Sequence, residues 1–123
     1  MLGMLAALVG PKLFGKLGKS KLQTAKTQIS MLGQALDTFR LDVGRYPDTS
    51  EGLEALREQP AGLDSWEGPY LNREVPEDPW KNEYVYTSPG SHGEYDLVSY
   101  GADGSPGGEG ENQDIVSWRN LEK

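Results

Sequence analysis

The sequence has no cysteine, which excludes disulfides, thiolate metal sites and cysteine nucleophiles while leaving the compartment open. It has one histidine, His92, so the clustered ligands that zinc needs are missing. Ser91, His92 and Asp96 lie close together and invite comparison with a hydrolase triad. No nucleophile elbow accompanies them, however, and near neighbours in sequence rarely face one another correctly; His92 reads as a turn residue. No phosphate-binding glycine motif precedes a helix, because Gly101–Gly110 leads towards a strand. Positive charge is scarce beyond the first third of the chain. Residues 1–40 hold six Lys/Arg and one acid, and residues 41–123 hold six Lys/Arg and eighteen acids, which gives the net −7. The acidic part argues against nucleic-acid phosphates as a partner. Carboxylates are plentiful, but the tryptophans and tyrosines sit where packing explains them, and no enzyme is expected. Long apolar runs are also lacking. The head Met1–Val9 is about half of the roughly 20 residues that a membrane-spanning helix requires. It is not a good signal peptide either, since no basic residue precedes it and no small-residue cleavage site follows.

What is present is, first, a helix. Leu22, Ala25, Ile29, Leu32, Leu36 and Phe39 recur at steps of three or four, which puts them on one stripe. Lys21, Lys26, Gln28, Gln34, Asp37 and Arg40 occupy the rest of the circumference. The head before this segment is apolar nearly all round, unlike a solvated helix. Two explanations stand: a buried core helix relaxed by its glycines, or the latter part of a longer membrane helix, which Gly10-Pro11 permits. The basic residues Lys12, Lys16, Lys19 and Lys21 suit an anionic surface or an acidic neighbouring subunit. The chain thus divides into a head, residues 1–20, and a globular domain, residues 21–123. With 123 residues, 36% hydrophobic content and 16 glycines, that domain has a modest core and much loop.

The first helix is expected to end near Asp42–Gly44, with Gly44 in the left-handed cap position. Asp48 and Glu51 have the spacing of a capping box for a short helix through Leu53, Ala55, Leu56 and Glu58, stopped by Pro60. Residues 60–81 form a loop pinned by Trp66, Tyr70, Leu71, Val75 and Trp80. Tyr84–Thr87 and Tyr95–Tyr100 are strand candidates joined by a turn at Ser88–Gly93, an antiparallel hairpin. In the second strand Leu97 and Ser99 share one face, Val98 and Tyr100 the other. Ile115–Trp118 is a short last strand. The fold class is α+β, one long helix on a small antiparallel sheet.

Between the last two strands lies an acidic glycine loop, Gly101 to Asp114. Strand-like residues flank it closely, so it must close into a compact turn that brings carboxylates and free carbonyls together. A hard divalent cation resolves the resulting repulsion, and calcium takes six to eight such oxygens. The loop is not an EF-hand, and its one approach to a calcium-binding nonapeptide repeat lacks the stacked copies that motif needs. A solvated loop is the alternative.

Taken in order, these segments resemble a known family. They are Leu2–Pro11, Ala35–Asp42, Arg45-Tyr46-Pro47, Gly52–Leu56, Asp78-Pro79-Trp80-Lys81-Asn82, Pro89–Gly104 and Asp114–Trp118. Together they are similar to the major pseudopilins of type II secretion systems, within the type IV pilin-like superfamily. The resemblance implies a pilin-like fold. It implies homopolymerisation through the N-terminal helices into a periplasmic filament, the pseudopilus, which helps drive folded proteins across the outer membrane. It further implies leader cleavage and N-methylation, and a single-pass position in the bacterial inner membrane before assembly. Minor pseudopilins and the inner-membrane secretion platform are the implied partners. Calcium is implied in the C-terminal loop, with the carboxylates of Asp103 and Asp114 and the carbonyls of Tyr100 and Ser105 as ligands. Glu111, Asn112 or Gln113 would complete the shell. Two features depart from the family: the cleavage site, N-terminal Phe and early glutamate are absent, as a truncated helix would explain, and Lys81 stands where the family usually has glycine. The rival readings are a minor pseudopilin or type IV pilin, whose adhesive members usually carry a C-terminal disulfide, and a soluble calcium-dependent carbohydrate- or protein-binding module.

Overall fold

The computed structural model describes the backbone of residues 2–118 and the side chains of residues 20–118. The side chains of the apolar head, with Lys12, Lys16 and Lys19, therefore lie outside the described residues. Helix α1 runs from Leu2 to Val43, 42 residues. Gly44 ends it with φ +95°, and its N–H donates to the Arg40 carbonyl at 2.7 Å, the expected left-handed cap. Strands β1 (Val85–Thr87), β2 (Asp96–Ser99) and β3 (Ile115–Val116) follow. They form one antiparallel sheet in the order β1-β2-β3, with Tyr86 opposite Leu97 and Ser99 opposite Ile115.

The helix lies on this sheet through the expected stripe. Ala25, Ile29, Leu32, Leu36 and Phe39 are buried, and they share one core with Leu53, Leu56, Leu71, Tyr84, Tyr86, Leu97 and Ile115. Leu22 is only partly buried against it. The helix greatly outruns its support. At 1.5 Å per residue it is about 63 Å long, whereas a four-residue strand spans about 13 Å. Among the described residues no helix is long and apolar enough to cross a membrane.

The capping box forms at the expected pair, but the helix expected after it does not. The Glu51 N–H donates to Asp48 Oδ1 at 2.8 Å and the Asp48 N–H to Glu51 Oε1 at 3.0 Å. Gly52 then takes φ +64°, which no right-handed helix tolerates, so the box closes a turn and only a 3-10 turn, Leu53–Leu56, follows. The loop at 60–81 is pinned as expected: Leu71 is buried, and Trp66, Tyr70, Val75 and Trp80 pack against the core. Trp66 Nε1 donates to the Ala55 carbonyl at 2.6 Å, and the Tyr70 hydroxyl to Asp42 at 2.8 Å. β2 differs from a half-solvated hairpin strand. It is the central strand, and all four of its residues are buried.

Lys81 has φ +67°, the one non-glycine residue with positive φ among the described residues. The turn that favours glycine is thus made with a lysine. The left-handed region costs a side-chain-bearing residue about 1–2 kcal/mol, and glycine's extra entropy about 0.5–1 kcal/mol. Lys81→Gly is therefore expected to stabilise the domain by up to about 1 kcal/mol, a rise of a few degrees in Tm. A thermal melt that is unchanged or lower would show that the lysine stem contributes packing that outweighs the strain.

Candidate functional site

The acidic loop begins where β2 ends. Tyr100 is half-buried and Gly101 buried, with φ +77°. Glycine is required there, because a Cβ would stand 2.5 Å from the Glu111 carbonyl oxygen and 2.8 Å from that of Gln113. The loop returns across this point, and the Ala102 N–H donates to the Glu111 carbonyl at 2.7 Å. The compact closure expected from the flanking strands is present.

Within it the expected ligands are placed as follows. Asp114, half-buried at the foot of β3, accepts the Gly107 N–H on both carboxylate oxygens, at 3.0 and 3.1 Å. Asp103 turns back on its own segment, Oδ1 accepting the Ser105 N–H at 3.1 Å. Glu111 sends its carboxylate away towards Trp80, whose Nε1 is 3.4 Å from Oε1, while its carbonyl holds Ala102. Asn112 and Gln113 lie in and just after the short 3-10 turn Gly110–Asn112, and their carbonyl groups approach Gly108 and Gly101. Ser105 and Asn112 are exposed.

Among the described residues no three His, Cys, Asp or Glu side chains converge as a metal-holding group. What the loop offers is four carboxylates, Asp103, Glu109, Glu111 and Asp114, together with carbonyl and hydroxyl oxygens, all hard donors, and a cradle at Gly101 that two carbonyls already share. In kind, that donor set fits calcium rather than a softer metal.

Sequence reasoning missed the anchor beneath this loop. Asp78 is buried, at 4% exposure. Its Oδ1 accepts the N–H groups of Trp80 and Asn82 at 3.0 and 2.9 Å, and its Oδ2 the Ser99 hydroxyl at 2.8 Å. Part of the signal was legible: an aspartate directly ahead of a proline favours a side-chain-capped turn.

His92 is a turn residue, as expected. Its Nδ1 lies 3.2 Å from Asp96 and its ring stacks on Trp118 at 3.7 Å. Burial pushes the Asp96 carboxyl up, but the N–H groups of Ser91 and His92 and the imidazole together outweigh it, so Asp96 sits below the ordinary carboxylate range. Glu51 is also held low, first by its hydrogen bonds to the Arg45 guanidinium at 2.7 and 3.0 Å, against the opposing effect of burial. Burial also pushes the Tyr95 hydroxyl up to about 12.

The profile of the family described as Type II secretion system (T2SS), protein G matches residues 12–118. The chain belongs to this family. It is 46% identical to the type II secretion system core protein G of Vibrio cholerae over 121 residues, covering 96% of this chain and 82% of that one. It is 42% identical to the core protein G of Pseudomonas aeruginosa over 123 residues, covering 98% and 87%. The crystal structure of the major pseudopilin from the type 2 secretion system of enterohaemorrhagic Escherichia coli superposes with a TM-score of 0.70 at 35% identity. That match covers 88% of this chain and 95% of the other. The pilin-like fold and the protein G assignment expected from the motifs are both borne out, and the adhesive-pilin and soluble-module readings give way to them.

Asp96 and Glu51 both have folded-state pKa values below their unfolded ones. The stability they contribute is present above the unfolded carboxylate range and is lost as pH falls through the depressed values. Tm is expected to hold from neutral pH down to about 5 and to fall steeply below about 4. Glu51→Gln should start lower and fall less steeply; a parallel curve would remove the Arg45–Glu51 fork from the acid response.

Proposed function

We propose that this protein G family member is a structural, non-catalytic subunit of the type II secretion pseudopilus, polymerising into a periplasmic helical filament that helps drive folded proteins across the outer membrane. One observation carries the reading: α1 extends far beyond the sheet on which it packs. Its second half packs within the subunit, and the apolar sequence of its head, Met1–Val9, calls for cover by lipid or by sister helices. In this reading lipid supplies that cover before assembly, and the helices of sister subunits supply it afterwards. Apolar burial at roughly 25 cal/mol per Å² is enough to hold such a bundle. Lys12, Lys16, Lys19 and Lys21 meet acidic surfaces of neighbouring domains, which fixes register more than it adds stability. The inner membrane, the secretion platform and the minor pseudopilins are the other partners. Deleting residues 1–20 is expected to leave a cooperatively melting monomer and to abolish filaments sheared from secreting cells. Filaments of normal yield from the deleted chain would sink the proposal.

The same reading places calcium in the 101–114 loop, held by Asp103, Asp114 and the carbonyls of Tyr100 and Ser105, with Glu111, Asn112 or Gln113 in addition. Bound calcium supplies the charge that offsets repulsion between the two aspartates. Support comes from the all-oxygen donor set and the carbonyls around Gly101. The chain's own contribution is to hold the loop closed through Ala102 and Gly107. Replacing Asp103 and Asp114 together with alanine should lower Tm by more in calcium than in chelator, where only their hydrogen bonds to Ser105 and Gly107 are lost. Equal melting of the unmutated protein in calcium and in chelator would remove the ion from this account.

A further inference from the structure

The turn Asp78–Asn82 touches the acidic loop directly at two points and reaches it at a third through Ser99 of β2, and every contact runs through groups that Asp78 itself fixes. The Ser99 hydroxyl, fully buried, donates to Asp78 Oδ2 at 2.8 Å and accepts the Gly101 N–H at 3.3 Å. Asn82, whose N–H Asp78 holds, reaches the Gly101 carbonyl with Nδ2 at 3.4 Å. Trp80, whose N–H Asp78 also holds, reaches the Glu111 carboxylate with Nε1 at 3.4 Å. The N–H and the C=O of the loop's first residue are thus gripped from one buried carboxylate, as is one side chain of its return limb. A buried carboxylate is costly unless its oxygens are hydrogen-bonded, so Asp78 holds only one arrangement of these donors. The Asp78 Cα also stays fixed, because its N–H donates to the Asn82 carbonyl at 2.8 Å.

We propose that Asp78 is a positioning residue for the acidic loop: through Ser99, Asn82 and Trp80 it sets the conformation of Gly101 and the place of Glu111, and so pre-shapes the loop for its cation. The part concerning the cation rests on the calcium reading above; the part concerning loop shape does not. The arrangement acts in the manner of the outer partners that orient metal ligands, whose loss weakens metal affinity about 10–100-fold. It also accounts for the tolerated strain at Lys81, since the turn containing that residue is held by Asp78 on both sides.

The test uses the full chain carrying Ser99→Ala or Asn82→Ala, with Leu53→Ala as a core variant outside the hydrogen bonds that join turn and loop. In chelator, amide hydrogen exchange at Ala102 should quicken by about tenfold in either loop-anchor variant, the effect of losing one hydrogen bond, and not in Leu53→Ala. In calorimetric titration with calcium chloride, the Kd should weaken about 10–100-fold in the anchor variants while Leu53→Ala keeps the parent value. Asn82→Ala, at a half-buried site, serves if Ser99→Ala does not fold. Exchange at Ala102 matching the Leu53→Ala control, with an unchanged Kd, overturns the proposal. Quickened exchange in the anchor variants, together with an unmutated protein that binds no calcium, retires the calcium reading alone and leaves Asp78 as the residue that shapes the loop.

Discussion

Ala25, Ile29, Leu32, Leu36 and Phe39 on α1 are removed almost entirely from water. A fully buried side chain of the Leu, Ile or Phe kind contributes about 1.5–3 kcal/mol, while an exposed ion pair such as Arg40–Glu94 is screened by water and contributes little. The stripe therefore decides how the domain is arranged, and the charges decorate it. A sheet of only three short strands cannot stand alone. It exists here because one helix face covers it. Phe39 sets the far end of that contact, meeting Tyr70 edge-on at 5.7 Å, and Tyr70 in turn draws the irregular 60–81 segment onto the helix.

The same constraint divides the molecule by function. Residues that the stripe buries belong to the subunit, and the part of α1 beyond Leu22 in the N-terminal direction extends past the sheet. A rod that outruns its domain needs a second environment, which is the physical content of the filament reading. The loop at 101–114 lies at the opposite end of the chain, on the exit from the central strand. Its closure depends on a small number of backbone contacts across Gly101, and these are held from below by a buried polar cluster around Asp78 and not by apolar packing. Polar anchorage of this kind favours one geometry because each donor has only one acceptor within reach.

Much of this was readable from residue order. The three-and-four spacing of Leu22 to Phe39 announces both the helix and the face it buries, and Gly44 marks its end. Alternation at Tyr95–Tyr100 separates Leu97 from Val98. The Asp48–Glu51 pair predicts its two reciprocal hydrogen bonds, yet not the left-handed Gly52 that prevents a helix from following. That outcome turns on a neighbour one position away, because glycine has no steric reason to stay right-handed. The closure of the acidic loop was legible from its flanks. The directions of its carboxylates were not, since each aspartate can accept from any nearby N–H.

By itself the sequence determined the periodicities: a helix with one apolar stripe, a hairpin, an acid-rich glycine loop, and a family likeness spread across the chain. These are local properties, set by spacing along the backbone and by the φ/ψ limits of glycine and proline. Only the tertiary structure decided that β2 is buried on both faces, that Asp78 and Ser99 meet across 21 positions, and that Glu111 faces Trp80 while Asp114 faces Gly107. Those pairings join residues far apart in the chain. They depend on which surfaces the packed helix brings together, and no local rule carries that information.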